Sequence, residues 1–335
     1  MRILRHYGRL PPDAQGAVAV LGNFDGVHRG HQEVIARGRA IADRLRAPLA
    51  VVTFEPHPLT FLAPDRPPFR LTTLRSKAHR LERLGVDLVF ALPFNRAFSE
   101  FLAEDFVIDV LVEGLHVRHV VIGYDFCFGY QRGGGPAVLG WMGEMEGFGL
   151  TVVAPVQDGS DVFSSSLIRE HLAVGKPQAA AELLGGWWEL EGRVRRGDAR
   201  GRILGYPTAN LALGNYLVPQ LGIYAVRAGL AAPDGTVTWH DGVASLGRRP
   251  TFGAGEVLLE VHLFDFAGDL YGRYLRVAFV DFIRPEATFA SAEALTAAIA
   301  ADCIAARRIL AAPENQTERR FPEARRHEPV NRFGV

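Results

Sequence analysis

The sequence predicts an α/β domain built on a parallel sheet, followed by a mainly β domain with an antiparallel sheet or small barrel and a C-terminal helix. Between Ala17 and Pro155, short β-rich runs alternate with helical patterns, which is typical of βαβ units. After Ala180, β-rich runs follow one another without helices between them, which favours antiparallel pairing. The 335 residues also exceed the size at which one core usually keeps growing, so two domains are expected.

Apolar periodicity places the elements of the first domain. Val34, Ile41 and Leu45 recur on one face of a helix, and that face should pack on the sheet. A second helix is predicted to carry the apolar stripe Phe98, Phe101, Leu102, Ile108 and Leu111. The predicted strands are Ala17–Leu21, Leu49–Phe54, Leu88–Leu92, His119–Gly123 and Leu150–Ala154.

The second domain should end in a helix from Ser291 to Leu310, capped by Ser291 and stopped by Pro313. The residues from Glu314 to Val335 are polar and lack periodicity, so they are expected to form a disordered tail without a function. The buried positions predicted for the helix are Leu295, Ile299, Ile304 and Leu310. The predicted strands are Trp188–Arg196, Gly222–Gly229, Gly235–Leu246, Val257–Phe266 and Tyr274–Ile283.

The composition excludes several classes of protein. Hydrophobic residues make up 48% of the chain and charged residues 22%, which indicates a globular protein. Basic and acidic residues number 37 each, so no positive field favours nucleic-acid binding. Cys127 and Cys303 form neither a metal motif nor a disulfide framework. Because no apolar run approaches membrane-spanning length, the sequence predicts a cytoplasmic protein that is neither exported nor anchored.

A Gly-rich loop with two histidines follows the first predicted strand. It reads Gly22-Asn23-Phe24-Asp25-Gly26-Val27-His28-Arg29-Gly30-His31 and leads into a helix, whose N-terminal N–H groups suit phosphate. His28 and His31 can share a helix face and donate hydrogen bonds to phosphate oxygens. A solvated polar loop and a zinc site are alternatives, although no third metal ligand lies nearby.

This loop resembles the H-x-G-H signature of the nucleotidyltransferase superfamily, and the whole run resembles its flavin adenylyltransferase branch. Three later segments, at 54–58, 123–129 and 164–169, are similar to that branch, although Cys127 stands where the branch has Arg. The resemblance implies a Rossmann-like domain and flavin contacts at Pro56, His57, Pro58, Asp125, Phe126 and Phe128. It also implies ATP and phosphate binding by Gly22, Asn23, Phe24, Asp25, Gly26, Gly30, Ser165 and Ser166, with His28, His31 and Arg169 as catalytic residues.

A second loop, from Gly192 to Asn210, is rich in glycine and arginine. It is not a Walker loop, and alone it could be a solvated turn. Its end, Gly205-Tyr206-Pro207-Thr208-Ala209-Asn210, resembles the riboflavin kinase signature. That resemblance implies a six-stranded antiparallel barrel, Mg²⁺ held by Thr208 and Asn210, and Glu260 as the general base. Its ATP phosphates are expected near Gly192, Gly197, Gly201 and Gly205.

Together the two motif sets resemble the prokaryotic bifunctional riboflavin kinase/FMN adenylyltransferase family, or FAD synthetases, over the chain to about Leu310. The resemblance implies an adenylyltransferase domain at residues 1–184, a kinase domain at 187–312 and a tail at 313–335. Its substrates and products would be ATP, riboflavin, FMN and FAD, without nucleic-acid or membrane partners. A cytidylyltransferase-like enzyme and a non-catalytic flavin sensor are the alternatives.

Overall fold

The computed structural model describes residues 1–158, 161–197, 201, 204–232, 236–248 and 256–316. These residues form two compact units. The first unit contains residues 1–66 and 77–163, and the second contains residues 67–76 and the described residues from 164 onward. The predicted disordered tail lies outside the described residues from position 317, and Pro313–Gln316 form a short helix.

The first unit is organised around a parallel sheet with the order β1-β4-β3-β2-β5-β6. The chain passes from β2 to β3 on one side and later to β5 on the other side, so the carboxyl ends of β2 and β5 form a topological switch point. The strands are β1 (Arg2–Leu4), β2 (Val18–Leu21), β3 (Leu49–Glu55), β4 (Leu88–Pro93), β5 (His119–Gly123) and β6 (Gly149–Val153), and a small hairpin follows with β7 (Gln157–Asp158) and β8 (Asp161–Val162).

The helices of this unit cover the sheet. Val34 and Ile41 of α1 are buried as predicted, but Leu45 is 41% exposed. Leu45 is the last helical residue, and the chain turns away at Arg46, which has a left-handed conformation. The helices are α1 (Arg29–Leu45), α2 (Pro58–Leu62), α3 (Leu74–Arg83, which begins in the second unit), α4 (Arg96–Ser99), α5 (Ala103–Asp105) and α6 (Pro136–Glu146), with a π-helix at Phe106–Val112.

Two expectations about the first unit were wrong. The predicted second helix is broken into α4, α5 and the π-helix, because the extended residue Leu102 interrupts it and donates its N–H to the Asp105 carboxylate. Leu102 is therefore 54% exposed instead of buried. Strand β1 was not predicted, since its three residues are too few to show a period.

The second unit contains a curled antiparallel sheet with six strands in the order β10-β13-β12-β11-β14-β9. An isolated bridge between Arg195, just after β9, and Asn210 of β10 joins the two edges of this sheet. The predicted six-stranded antiparallel architecture is therefore confirmed. The strands are β9 (Trp188–Arg193), β10 (Ala209–Ala212), β11 (Gly222–Ala231), β12 (Val237–Arg248), β13 (Val257–Leu263) and β14 (Tyr274–Arg284).

The C-terminal helix begins where the sequence predicts. The Ser291 hydroxyl accepts the Ala294 N–H at 3.2 Å, and the helix ends just before Pro313. Leu310 is buried, but Ile304 is 71% exposed. Ile304 lies nine positions after Leu295, which places it half a turn out of phase with the buried face. The helices of this unit are α7 (Ser165–Ala173), α8 (Pro177–Leu184), α9 (Ala292–Ala311) and α10 (Pro313–Gln316).

Candidate functional site

The first candidate site is the segment from residue 22 to residue 28, which we call the phosphate loop. It connects β2 to α1 at the switch point of the parallel sheet. His28 is the N-cap of α1, and its Nδ1 accepts the His31 N–H at 3.4 Å. A Cβ on Gly30 would lie 3.1 Å from the His28 ring, so a larger residue there would displace this imidazole. The loop therefore meets a helix N-terminus, where backbone N–H groups favour anions.

His28 and His31 lie together as predicted. Their rings stack with centroids 3.6 Å apart, and Phe24 meets the His31 ring edge-on at 5.1 Å. Burial lowers the pKa of His31 well below its usual value, and the nearby His28 and Lys77 lower it further. Within the described part of the chain, Nδ1 of His31 is buried and has no hydrogen-bond partner. A neutral imidazole with an unused nitrogen can bond an incoming polar ligand.

Two buried cations of α3 hold the phosphate loop, and neither was expected from the sequence. The Lys77 ammonium donates to the Asn23 carbonyl at 2.6 Å and to the Thr53 hydroxyl at 3.1 Å. Thr53 donates to the same carbonyl at 3.1 Å. Arg80 donates to the Gly26 carbonyl at 2.8 Å. The loop is thus held through the carbonyl oxygens of Asn23 and Gly26.

The residues predicted to bind flavin follow β3 and β5, so they lie at the same edge of the sheet as the phosphate loop. Pro56 is exposed, and His57 is buried as the N-cap of α2, whose first residue is Pro58. After β5, Asp125 is exposed, while the rings of Phe126 and Phe128 stack 5.7 Å apart. Phe128 also belongs to the hydrophobic core of the unit.

Cys127 lies in this segment, at the position where the resemblance implies Arg. Its side chain is exposed and its Sγ lies 3.6 Å from the Asp125 carbonyl oxygen. The residue therefore offers a small thiol at the surface where the resemblance implies a cation.

Ser165, Ser166 and Arg169 belong to α7 in the second unit. The Ser164 hydroxyl caps this helix by accepting the Leu167 N–H at 3.2 Å. Arg169 donates from Nε to the Phe69 carbonyl at 2.8 Å, and its guanidinium lies over the Phe69 ring. The place of these three residues in an ATP site stays a prediction.

The second candidate site is a polar row, which we define as Asn210, Glu260 and Ser245. Asn210 of β10 is the direct register partner of Glu260 in β13, and Glu260 is in turn the partner of Ser245 in β12. Direct partners have Cβ atoms roughly 4.5–5.5 Å apart. Thr208 precedes Asn210 by two positions at the entrance to β10. The residues predicted to hold the metal and to act as base are therefore neighbours on adjacent strands.

His262 contributes to the same region of the sheet. Its Nδ1 lies 2.9 Å from the Pro207 carbonyl, so Nδ1 carries the proton and donates. The Tyr206 ring meets the His262 ring edge-on at 5.5 Å. These contacts fix the start of the Pro207–Asn210 segment. A pocket opens beside it, lined by Val194, Pro207, Thr208, Ala209, Leu263, Phe266, Gly268, Asp269, Leu270 and Tyr271.

The glycines predicted for the second loop have different roles. A Cβ on Gly197 would lie 2.6 Å from Nδ2 of Asn210, so only glycine leaves this amide its position. A Cβ on Gly192 would meet the Leu211 side chain at 3.1 Å, and Gly205 has a left-handed φ of 84°. The Gly201 carbonyl accepts the Tyr206 N–H at 2.7 Å. Residues 198–200, 202 and 203 of the loop lie outside the described residues.

Known proteins match both parts of the chain. Residues 10–167 match the family described as FAD synthetase, and residues 184–310 match the family described as riboflavin kinase. The bifunctional riboflavin kinase/FMN adenylyltransferase of Pseudomonas fluorescens is 45% identical over 93% of this chain and 99% of its own. The protein of that description from Escherichia coli (strain K12) is 40% identical over 92% of this chain and 97% of its own.

The chain belongs to the bifunctional riboflavin kinase/FMN adenylyltransferase family. Members phosphorylate riboflavin to FMN and adenylylate FMN to FAD, and this enzyme has both activities. A crystal structure described as a macrolide-efflux protein from Streptococcus pneumoniae is 30% identical, with a TM-score of 0.77 over 90% of this chain and 97% of that chain. No helix among the described residues is both long and apolar enough to cross a lipid bilayer.

Both activities use ATP, which donates a phosphoryl group to riboflavin and an adenylyl group to FMN, and a divalent cation usually accompanies it. The described residues contain no group of three His, Cys, Asp or Glu side chains that could hold a metal ion alone. Thr208 and Asn210 offer a hydroxyl and an amide oxygen beside the Glu260 carboxylate. Such a sparse set of hard oxygen donors fits a cation that keeps most of its ligands as phosphates and water.

Sequence reasoning missed Thr53, Lys77, Arg80, Ser245 and His262. His262 carried a readable signal, because it lies two positions after Glu260 in an alternating strand and therefore on the same face. Lys77 carried a weaker one, since only Lys77 and Lys176 among the basic residues are lysines. Thr53 interrupts an apolar strand, but its partner on the phosphate loop could not be inferred from spacing.

Proposed function

We propose that the two activities divide between the two candidate sites, with adenylyl transfer at the phosphate loop and phosphorylation at the polar row. We also propose Mg²⁺ as the cation, and functional domains at residues 1–184 and 187–312. The direct register pairing of Asn210 with Glu260, next to Thr208, supports this division most strongly. The pairing places the proposed base and an oxygen ligand for the cation next to each other in the sheet.

In the kinase reaction, the oxygen of the terminal ribityl hydroxyl of riboflavin attacks the γ-phosphorus of ATP. Glu260 accepts the proton of that hydroxyl. ADP leaves with the electrons of the broken P–O bond. Thr208 and Asn210 would hold Mg²⁺, which supplies charge neutralisation on the phosphates when bound. Register keeps Glu260 beside Asn210, so the base stays close to the phosphate being transferred.

In the adenylyl-transfer reaction, a phosphate oxygen of FMN attacks the α-phosphorus of ATP, and pyrophosphate leaves. No protein nucleophile and no protein base are required, because the attacking phosphate is already an anion. His28, His31 and the N-terminal N–H groups of α1 stabilise the charge that develops on the phosphoryl oxygens. Neutral His31 donates one hydrogen bond without adding a buried positive charge.

The cysteines support a cytoplasmic location for the enzyme. Cys127 and Cys303 are both free thiols, and Cys127 is exposed. Exposed free thiols persist in a reducing compartment.

Crossed variants test the division of labour. Glu260→Ala should lose FMN formation from riboflavin and keep adenylylation of supplied FMN, and His31→Ala should do the reverse. Riboflavin, FMN and FAD are separated chromatographically over time with ATP and magnesium present. Each variant is the control for the other, since both activities are measured on one chain. Loss of both activities in either variant, with the protein still folded, would contradict the two-site assignment.

A further inference from the structure

The phosphate loop has an unusual backbone. Phe24, Gly26 and Val27 have left-handed φ values of 49°, 86° and 49°. Glycine adopts this conformation freely, but a β-branched residue such as Val27 rarely does. Strained residues of this kind persist only where the surrounding structure holds them, and they are concentrated where ligands bind. The loop therefore requires restraint from outside itself.

Lys77 supplies much of that restraint. Lys77 is 1% exposed, and Asn23, Thr53 and Lys77 form a triangle of hydrogen bonds at 2.6 to 3.1 Å. The Asn23 carbonyl accepts from both side chains just before the first left-handed residue. Arg80 lies one turn further along α3 and donates to the Gly26 carbonyl. Gly26 lies between the left-handed residues Phe24 and Val27.

The choice of lysine at this position is informative. The chain has 37 basic residues, of which only Lys77 and Lys176 are lysines. An ammonium is a compact donor that can bond several closely spaced oxygens, whereas a guanidinium presents a wide planar fork. The Asn23 carbonyl and the Thr53 hydroxyl lie close enough to bond each other, so they suit the compact group.

We propose that Lys77 is a positioning residue for adenylyl transfer, which acts by holding the backbone of the phosphate loop in its strained, phosphate-binding conformation. The inference rests on the proposed function of this loop. Lys77 does not touch the substrate in this role. Its loss should misplace the loop N–H groups and His28, which lowers the rate of the chemical step more than the affinity for ATP.

The experiment compares Lys77→Met, which keeps an unbranched side chain and removes the charge, with Lys176→Met, which removes an exposed lysine from the second unit. Single-turnover adenylylation of FMN with enzyme in excess should slow at least about tenfold in Lys77→Met. Its KM for ATP should change much less, and riboflavin phosphorylation should be unchanged. Lys176→Met should match the parent enzyme in both reactions. An unchanged single-turnover rate constant, together with a lower free energy of unfolding in urea, would mean that Lys77 only stabilises the unit, and would overturn the proposal.

Thr53→Val provides a second test if Lys77→Met does not fold. It is nearly isosteric and removes one acceptor of Lys77 and one donor to Asn23. We expect a slowing of about threefold in the same single-turnover rate constant, and an unchanged constant would contradict the proposal. His31→Ala distinguishes a failure of the role of Lys77 from a failure of the assignment of adenylyl transfer to the phosphate loop. If it abolishes adenylylation while Lys77→Met and Thr53→Val do not slow it, only the role of Lys77 fails; if it has no effect, the site assignment itself fails.

Discussion

The phosphate loop and the polar row hold their reactive groups in different ways. The loop is a strained backbone segment that buried side chains restrain through carbonyl oxygens. The polar row is regular sheet, in which strand register alone makes Asn210 a neighbour of Glu260. Under the proposed assignment, the loop would bind phosphate through its backbone, whereas the polar row would act through side chains that strand register places next to each other.

This difference predicts where each site is vulnerable. The phosphate loop should be sensitive to changes that alter φ or remove a buried donor. The polar row should be sensitive to the identity of its side chains and tolerant of backbone changes that preserve register.

The largest effect should come from the polar row. Asn210→Ala removes the amide oxygen proposed to hold Mg²⁺ and should lower riboflavin phosphorylation on the order of a hundredfold. Initial rates of FMN formation across a range of magnesium concentrations would measure it. Adenylylation of FMN should not change. Asn215→Ala is the matched control, since this exposed asparagine belongs to the same unit. Equal loss in both variants would mean that the amide at position 210 has no special role.

The second largest effect should come from a backbone change in the phosphate loop. Gly26 has φ of 86°, where alanine costs roughly 1–2 kcal/mol, so Gly26→Ala should lower adenylylation about tenfold as the loop relaxes. Gly147→Ala introduces alanine at φ of 81° in open space at the end of α6. It should cost similar stability and leave adenylylation intact. Rates and urea unfolding of both variants would be compared, and parallel loss of activity would show that strain anywhere in the unit is sufficient.

Gly197→Ala tests the polar row through a side chain. The new Cβ would lie 2.6 Å from Nδ2 of Asn210 and should push that amide aside. Because the displaced atom is the end of a side chain, the effect should be about threefold on phosphorylation, or roughly 0.7 kcal/mol. Steady-state FMN formation would detect it, with FMN adenylylation as the internal reference. A full loss of phosphorylation would show that Gly197 itself contacts the substrate.

The smallest effect concerns pH. The lowered pKa of His31 means that the folded protein keeps this imidazole neutral below the ordinary value of 6.5. In that range the unfolded chain binds the proton and the folded protein does not, so the free energy of unfolding should fall as pH decreases from about 7 toward 5. NMR titration of the His31 ring should give a pKa below 6.5. A value at or above 6.5 would contradict the neutral donor, and His31→Gln should flatten the stability profile.

Much of the architecture could be predicted because it repeats with a period. The five longer parallel strands and the antiparallel strands other than β10 have enough apolar residues to show one, and capping by Ser291 is local chemistry. Strand β1 has three residues, and the four residues of β10 contain only one large apolar side chain, Leu211, so neither strand gives that signal. The interruption at Leu102 depends on one side-chain hydrogen bond, which the spacing of apolar residues does not reveal.

The candidate sites were predictable to the extent that their residues are adjacent in sequence. The loop from Gly22 to His31 could be read as a unit, but Lys77 comes from a helix far along the chain and Thr53 from a neighbouring strand. No spacing rule connects such residues before the sheet is built. Glu260 and Asn210 were proposed from a resemblance, and their pairing across two strands became visible only in the register.

The pairing of β9 with β14 has a consequence for synthesis of the chain. All strands of the parallel sheet have been translated once Val153 has been made. Strand β9 follows soon afterwards, but its partner β14, where Phe279 pairs with Trp188, is among the last strands translated. The apolar residues of β9 must therefore remain unpaired while most of the kinase unit is still being made. A nascent chain that stalls before Tyr274 would carry a finished parallel sheet and an open barrel, and this open barrel is what chaperones and proteases would meet.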